Sequence, residues 1–166
     1  RVRAVGNGSQ MVIKRWHRES MMCTFGRTSG FEPYPRAVFQ GHMACLLNET
    51  SASDGDIFPA MFRRAKLGPL IGKRSWGGII GITNRGPLID GGTVNVPEFG
   101  NTEPGPKWTI EGYGVDPDIE VDNDLASILR GEDKQLEKAV DVLLQQIQSN
   151  PPSMPTAPPA PIKTGR

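Results

Sequence analysis

The apolar run Met43–Leu47 (MACLL) leads straight into a turn of small and acidic residues, Asn48–Asp54, and then into a segment with helical periodicity. A short uninterrupted apolar stretch bounded by turn residues reads as a strand covered on both faces. From Asp54 to Lys66, the residues Ile57, Phe58, Met61, Phe62 and Ala65 fall at i, i+1, i+4, i+5 and i+8, which builds one face of a helix. Pro59 is compatible with that helix because it falls in the first turns, where backbone N–H groups lack partners in any case. Strand, tight turn and helix in that order constrain the chain more than any other stretch of it.

Around this unit the chain is rich in turns. Its 166 residues suit one domain or at most two small ones, and an apolar fraction of 37% is low partly because Gly 20 and Pro 15 occupy so many positions. Nineteen Lys and Arg against eighteen Asp and Glu leave a net charge of +1, which points to no nucleic-acid or anionic-membrane partner. No run approaches 18 consecutive apolar residues, which excludes a membrane-spanning helix. The chain opens Arg1-Val2-Arg3 with neither Met nor an apolar signal segment, as a stretch cut from a longer protein would. A cytoplasmic location is expected.

Ser9 is placed to cap a short helix reaching about Arg18, with Met11, Val12 and Trp16 toward one face. Ser20–Phe25 reads as a strand, Gly26–Pro35 as a surface loop and Ala37–Phe39 as a further extended piece. The middle is β-rich, with short extended segments at Leu70–Gly72, Gly78–Ile82, Thr93–Phe99, Trp108–Glu111 and Ile119–Val121 and a turn at Asn84-Arg85-Gly86. Asp133–Ser149 places Leu136, Val140, Leu143, Leu144 and Ile147 on one helix face, a stripe of the kind that packs into a core. Asn150 and Pro151-Pro152 stop it. Residues 151–166 hold six prolines in sixteen positions and are expected to form a disordered or strap-like tail, leaving residues 1–150 as the folded subdomain.

The chemistry-bearing residues are few. Cys23 and Cys45 lie 22 positions apart and read as buried thiols rather than a disulfide. His17 and His42 are the only histidines and show no ligand spacing, so neither a metal nor a cofactor is expected. The turn Ser51-Ala52-Ser53-Asp54-Gly55-Asp56 joins a buried strand to a helix N-terminus. There an exposed hydroxyl gains most from the helix dipole and the free N–H groups. Simple N-capping by Ser53 or Asp54 is the other reading of the same residues, and both stay open. A nucleophilic serine needs a base, and neither His17 nor His42 carries a local sign of pairing with Ser53. Glu111 is a lone carboxylate among apolar and Gly residues.

Three segments in order sharpen the picture: NETSASDGDIFP (Asn48–Pro59), LGPLIGKRSWGGIIGI (Leu67–Ile82) and WTIEGYGVDPDIE (Trp108–Glu120). They closely resemble the catalytic core of tricorn-type serine peptidases, a branch of the carboxy-terminal-processing peptidase family. The stretches LIDGGTVNVPEFG, PYPRAVFQG and GEDKQLEKAV fit the same resemblance. It implies an α/β fold, a crotonase-like core of stacked β-turns and short sheets with flanking helices. It also implies hydrolysis of short peptides, with Ser53 as nucleophile and the backbone N–H of Asp54 as one oxyanion donor. The second donor would come from the loop Val5-Gly6-Asn7-Gly8, from Gly6 or Gly8, where the family usually shows Asn-Gly-Gly-Gly. Glu111 matches the position whose carboxylate reaches a second serine that orients the catalytic histidine. That serine and histidine lie, in the family, upstream of this region. The expected partners are therefore short peptides, the missing N-terminal half and further copies of the chain. The alternative is a non-catalytic binding or assembly module that keeps the fold.

Overall fold

The computed structural model describes residues 8–160 and residue 162. Helix α1 (Ser9–Trp16) is followed by a hairpin of β1 (Met22–Gly26) and β2 (Gly30–Tyr34). Then come β3 (Cys45–Leu47), α2 (Asp54–Arg64) and β4 (Leu70–Gly72), a second hairpin of β5 (Gly81–Arg85) and β6 (Val94–Phe99), and β7 (Ile119–Glu120). Helices α3 (Leu125–Leu129) and α4 (Lys134–Ser149) complete the order. This is a mixed arrangement of helices and small sheets.

The centre is a parallel sheet ordered β3-β4-β7, with Cys45 opposite Leu70, Leu47 opposite Gly72 and Ile71 opposite Ile119. Every residue of β4 is buried, as a strand covered on both faces must be. The core gathers Cys45, Leu47 and Leu70 from the sheet, Phe58 and Phe62 from α2, and Val115 from the approach to β7. The rings of Phe58 and Phe62 lie 5.9 Å apart, and Trp16 of α1 meets Phe58 edge-on at 6.0 Å. Gly72 ends β4 at φ 138°, where a Cβ would stand 1.9 Å from the Leu47 carbonyl oxygen, so only glycine lets the strands close.

Several sequence expectations need correcting. Residues 26–35 are more than a surface loop, because Gly30–Tyr34 forms β2, paired antiparallel with β1 from Gly26↔Gly30 to Met22↔Tyr34. The cross-strand contact of the tilted Phe25 and Phe31 rings, 5.8 Å apart, outweighs the density of turn residues. Ala37 adopts φ 61°, which breaks the extended piece expected at 37–39. Asn84 and Arg85 are paired with Asn95 and Val94 rather than forming a turn. Of Trp108–Glu111, only Trp108 makes a bridge, to Thr102, and Ile110 at φ 49° turns the chain.

Helix α4 departs most from its pattern. It packs on β3 and β4 through Gln135 and Ala139, whereas Leu136, Val140, Leu144 and Ile147 stay 45–52% exposed. Gln135 is chosen over leucine because its amide donates to the Val121 carbonyl at 3.0 Å, while its own N–H reaches Asn123 Oδ1 at 3.0 Å. The described residues beyond α4 have neither helix nor strand and are exposed. No helix among the described residues is long and apolar enough to cross a membrane.

Candidate active site

Ser53 stands where the chain enters α2, with its backbone at φ 57°, ψ −113°. Such a conformation costs a non-glycine residue on the order of 1–3 kcal/mol and persists only where neighbours hold it. Here the Ser53 N–H donates to the Gly78 carbonyl at 3.2 Å, and the Ser53 carbonyl accepts from the amides of Asp56 at 2.9 Å and Ile57 at 3.0 Å. The side chain is left exposed while Ser51, Asp54, Gly55 and Asp56 are all buried.

The capping alternative fails for both candidates. The Ser53 hydroxyl caps no helical amide. Asp54 turns its carboxylate to the start of α1, where Oδ2 accepts from the Ser9 amide at 3.1 Å and Oδ1 from the Ser9 hydroxyl. Ser9 is therefore tied to Asp54 rather than capping its own helix, whose N-cap position is Gly8. The Asp54 amide makes no hydrogen bond among the described residues, so a free N–H follows Ser53 directly at a helix N-terminus. Ser51 has a different task, since its Oγ accepts from the Asn48 amide at 3.1 Å and closes the turn.

Facing Ser53 is a segment, residues 76–80, without helix or strand and yet fully anchored. The Trp76 amide donates to the Ser51 carbonyl at 2.9 Å, and the Gly77 amide donates to Asp56 Oδ1 at 2.7 Å. Glu111 Oε2 accepts from two successive amides, Ile79 at 2.7 Å and Ile80 at 3.0 Å. Asn101 Nδ2 donates to the Ile79 carbonyl at 3.0 Å. These partners, mostly side chains, replace a ladder, which is why β5 begins at Gly81 and not at the expected Gly78. Behind Glu111, the exposed turn is fastened by Asp116, which takes Arg74 Nε at 2.7 Å and the Tyr113 hydroxyl at 2.9 Å. Arg74 first and then Tyr113 hold the Asp116 carboxyl below its usual range.

Ser53, Asp54, Gly78 and Glu111 line one cleft of about 860 Å³, together with Ser9 of α1. Its walls are largely apolar, with Ile57 and Met61 of α2 facing Ile80, Ile82 and Phe99. The structure thus brings Ser53, Asp54 and Glu111 to one place. Gly8 sits next to Ser9, at the head of α1, and Gly6 lies outside the described residues. Neither histidine lines the cleft. His17 is exposed at the C-terminal end of α1, and His42 Nε2 is bonded to the Asn150 carbonyl at 2.7 Å. Among the described residues, no three His, Cys, Asp or Glu side chains converge as a metal site would require. Cys45 is buried as expected, and burial pushes its thiol up to about 12, far from a reactive thiolate. Cys23, in contrast, is exposed.

Residues 4–121 match the profile described as Peptidase family S41. The chain belongs to this family. Among curated S41 relatives, it is 36% identical over 159 residues to the tricorn protease of Thermoplasma acidophilum, covering 95% of this chain and 15% of that protein. It is 34% identical over 150 residues to tricorn protease homolog 1 of Streptomyces coelicolor, covering 90% and 14%. The crystal structure of the tricorn protease superposes with a TM-score of 0.80 at 36% identity, over 86% of this chain and 14% of that one. This S41 chain therefore spans about a seventh of the length of the relatives it matches, and it resembles the tricorn branch of the family.

Two features of the site were missed in the sequence. Asp56 looks like an ordinary acidic residue in a first helical turn, and the anchoring of residues 77–80 involves contacts across 21 and 32 positions of chain. The repeated glycines of SWGG were the one available signal, since Gly77 at φ 89° has room only for hydrogen against Gly114.

Proposed function

We propose that residues 1–150 are the nucleophile-bearing subdomain of a tricorn-like serine peptidase with a crotonase-like core, and that residues 151–166 are an appended tail. Ser53 Oγ attacks the carbonyl carbon of a short peptide, and a histidine from a segment outside this chain accepts its proton. The tetrahedral oxyanion is held by the Asp54 N–H and by an N–H of the Gly6–Gly8 loop. Asp54 itself supports that pairing, because its carboxylate fastens Ser9, next to the loop, beside the nucleophile. Donors fixed before reaction are worth several kcal/mol in such sites. Glu111 spends Oε2 on the Ile79 and Ile80 amides and keeps Oε1 without a partner among the described residues. That oxygen is open to the second serine that orients the histidine.

The observation that carries this reading is the exposed, non-capping hydroxyl of Ser53 on a strained turn, immediately before a helix-start amide that has no partner among the described residues. The absence of either histidine from the cleft favours a base supplied from elsewhere over a self-sufficient site. In the complete peptidase, Ser53→Ala should lower kcat for a chromogenic peptide by roughly 10³–10⁶-fold with little change in KM. Equal activity in both proteins would leave the non-catalytic module as the better account.

A further inference from the structure

Asp56 is completely buried, yet only one of its carboxylate oxygens is used. Oδ1 accepts from the Gly77 amide at 2.7 Å, and Oδ2 has no partner among the described residues. A buried acceptor left unsatisfied is a liability for stability, so a carboxylate kept in that state calls for another explanation. Its connections supply one. The Asp56 amide donates to the Ser53 carbonyl, the Ser53 amide donates to the Gly78 carbonyl, and the Gly77 amide next to it in the chain donates back to Asp56 Oδ1. The four residues form a closed hydrogen-bonded ring around the backbone of Ser53. The side chain of Asp56 is the only side chain in that ring, and without it the link from α2 to Gly77 opens. Gly77 cannot be held there by bulk instead, because a Cβ would stand 2.5 Å from the Gly114 amide nitrogen.

We propose that Asp56 is a positioning residue that holds Ser53 in its positive-φ conformation by bracing the Gly77–Gly78 peptide against α2. The proposal rests on the reading of Ser53 as nucleophile. It assigns to the carboxylate a geometric role with no proton transfer: misplacing the hydroxyl by a fraction of an ångström lowers the rate of attack without changing how the peptide is held. A variant that retains an acceptor oxygen at the same reach should therefore work, and one that removes it should not.

The test compares Asp56→Ala and Asp56→Asn with wild type and Ser53→Ala in the complete peptidase, measuring kcat and KM on one chromogenic peptide and amide exchange over residues 76–80. Asp56→Ala should lose roughly 30–100-fold in kcat with KM within about threefold, and exchange at Gly77 should accelerate. Asp56→Asn should remain within about fivefold of wild type in kcat and should keep Gly77 protected. Unchanged kcat in Asp56→Ala, a loss confined to KM, or an equal loss in both variants would overturn the brace. Should Asp56→Ala fail to fold, Asp56→Asn decides: activity near wild type upholds the brace, and activity as low as that of Ser53→Ala overturns it. Full activity in Ser53→Ala would dispose of the nucleophile reading alone. The ring would then stand or fall on whether Gly77 exchange accelerates in Asp56→Ala.

Discussion

Two serines two residues apart sit in opposite surroundings, and the difference is set by backbone geometry. Ser51 is buried and closes the Asn48 turn with its hydroxyl, whereas Ser53 is exposed on a strained backbone with its hydroxyl uncommitted. In the complete peptidase, Ser51→Ala should leave kcat within a few-fold of wild type while costing about 1 kcal/mol of stability, the usual net worth of one hydrogen bond. Urea denaturation and initial rates measured side by side check both numbers. A collapse of kcat in Ser51→Ala with Ser53→Ala active would reverse the assignment. The buried strand, the small-residue turn and the helix start were legible in the sequence as the order β3, turn, α2. The capping competition was not legible, because Asp54 is drawn away by Ser9, 45 positions earlier in the chain.

At the scale of elements, the parallel sheet is held by a close approach of backbones. Gly72→Ala would place a methyl group against the Leu47 carbonyl oxygen and the Gln135 amide, at a φ that L-residues avoid. It should destabilise the chain by roughly 3 kcal/mol or more, read as a lower midpoint in urea, and a change under about 0.5 kcal/mol would contradict the packing. The corner between α3 and α4 is electrostatic instead. Asp124 caps α3 through the Ser127 amide and pairs with Lys134, and Lys134 first, then Ser127, hold its carboxyl well below the usual range. A depressed carboxyl contributes stability above its unfolded value near pH ~3.9 and loses it as pH falls through the folded value. The Asp124 carbon resonance should accordingly titrate below pH ~3.9, and Lys134→Met should raise that midpoint. A midpoint at or above the free value would remove the pair from the account. The misread hairpins turn on local pairing, whereas two other elements are decided by residues farther off in the chain. Residues 77–80 are fastened by carboxylates from α2 and from Glu111, and α4 buries Gln135, which satisfies Val121, while Leu136 and Leu144 stay exposed.

At the scale of the whole molecule, large apolar side chains among the described residues stand exposed on the β5–β6 hairpin, on helix α3 and on the outer face of α4. The isolated chain should bind a hydrophobic dye strongly and elute from a sizing column as a concentration-dependent mixture. A sharp monomer with no dye binding would show that the exposed faces need no cover. The proposed function gives this chain the nucleophile and its oxyanion donors but not the base. Stoichiometric labelling by a fluorophosphonate is its most direct measure, because covalent capture requires an activated serine. Residues 1–166 alone should label no faster than their Ser53→Ala variant, and the complete peptidase should label fully at Ser53. Full labelling of the isolated chain that disappears in Ser53→Ala would mean that His17 or His42 serves as the base, and the division of the site between segments would be wrong.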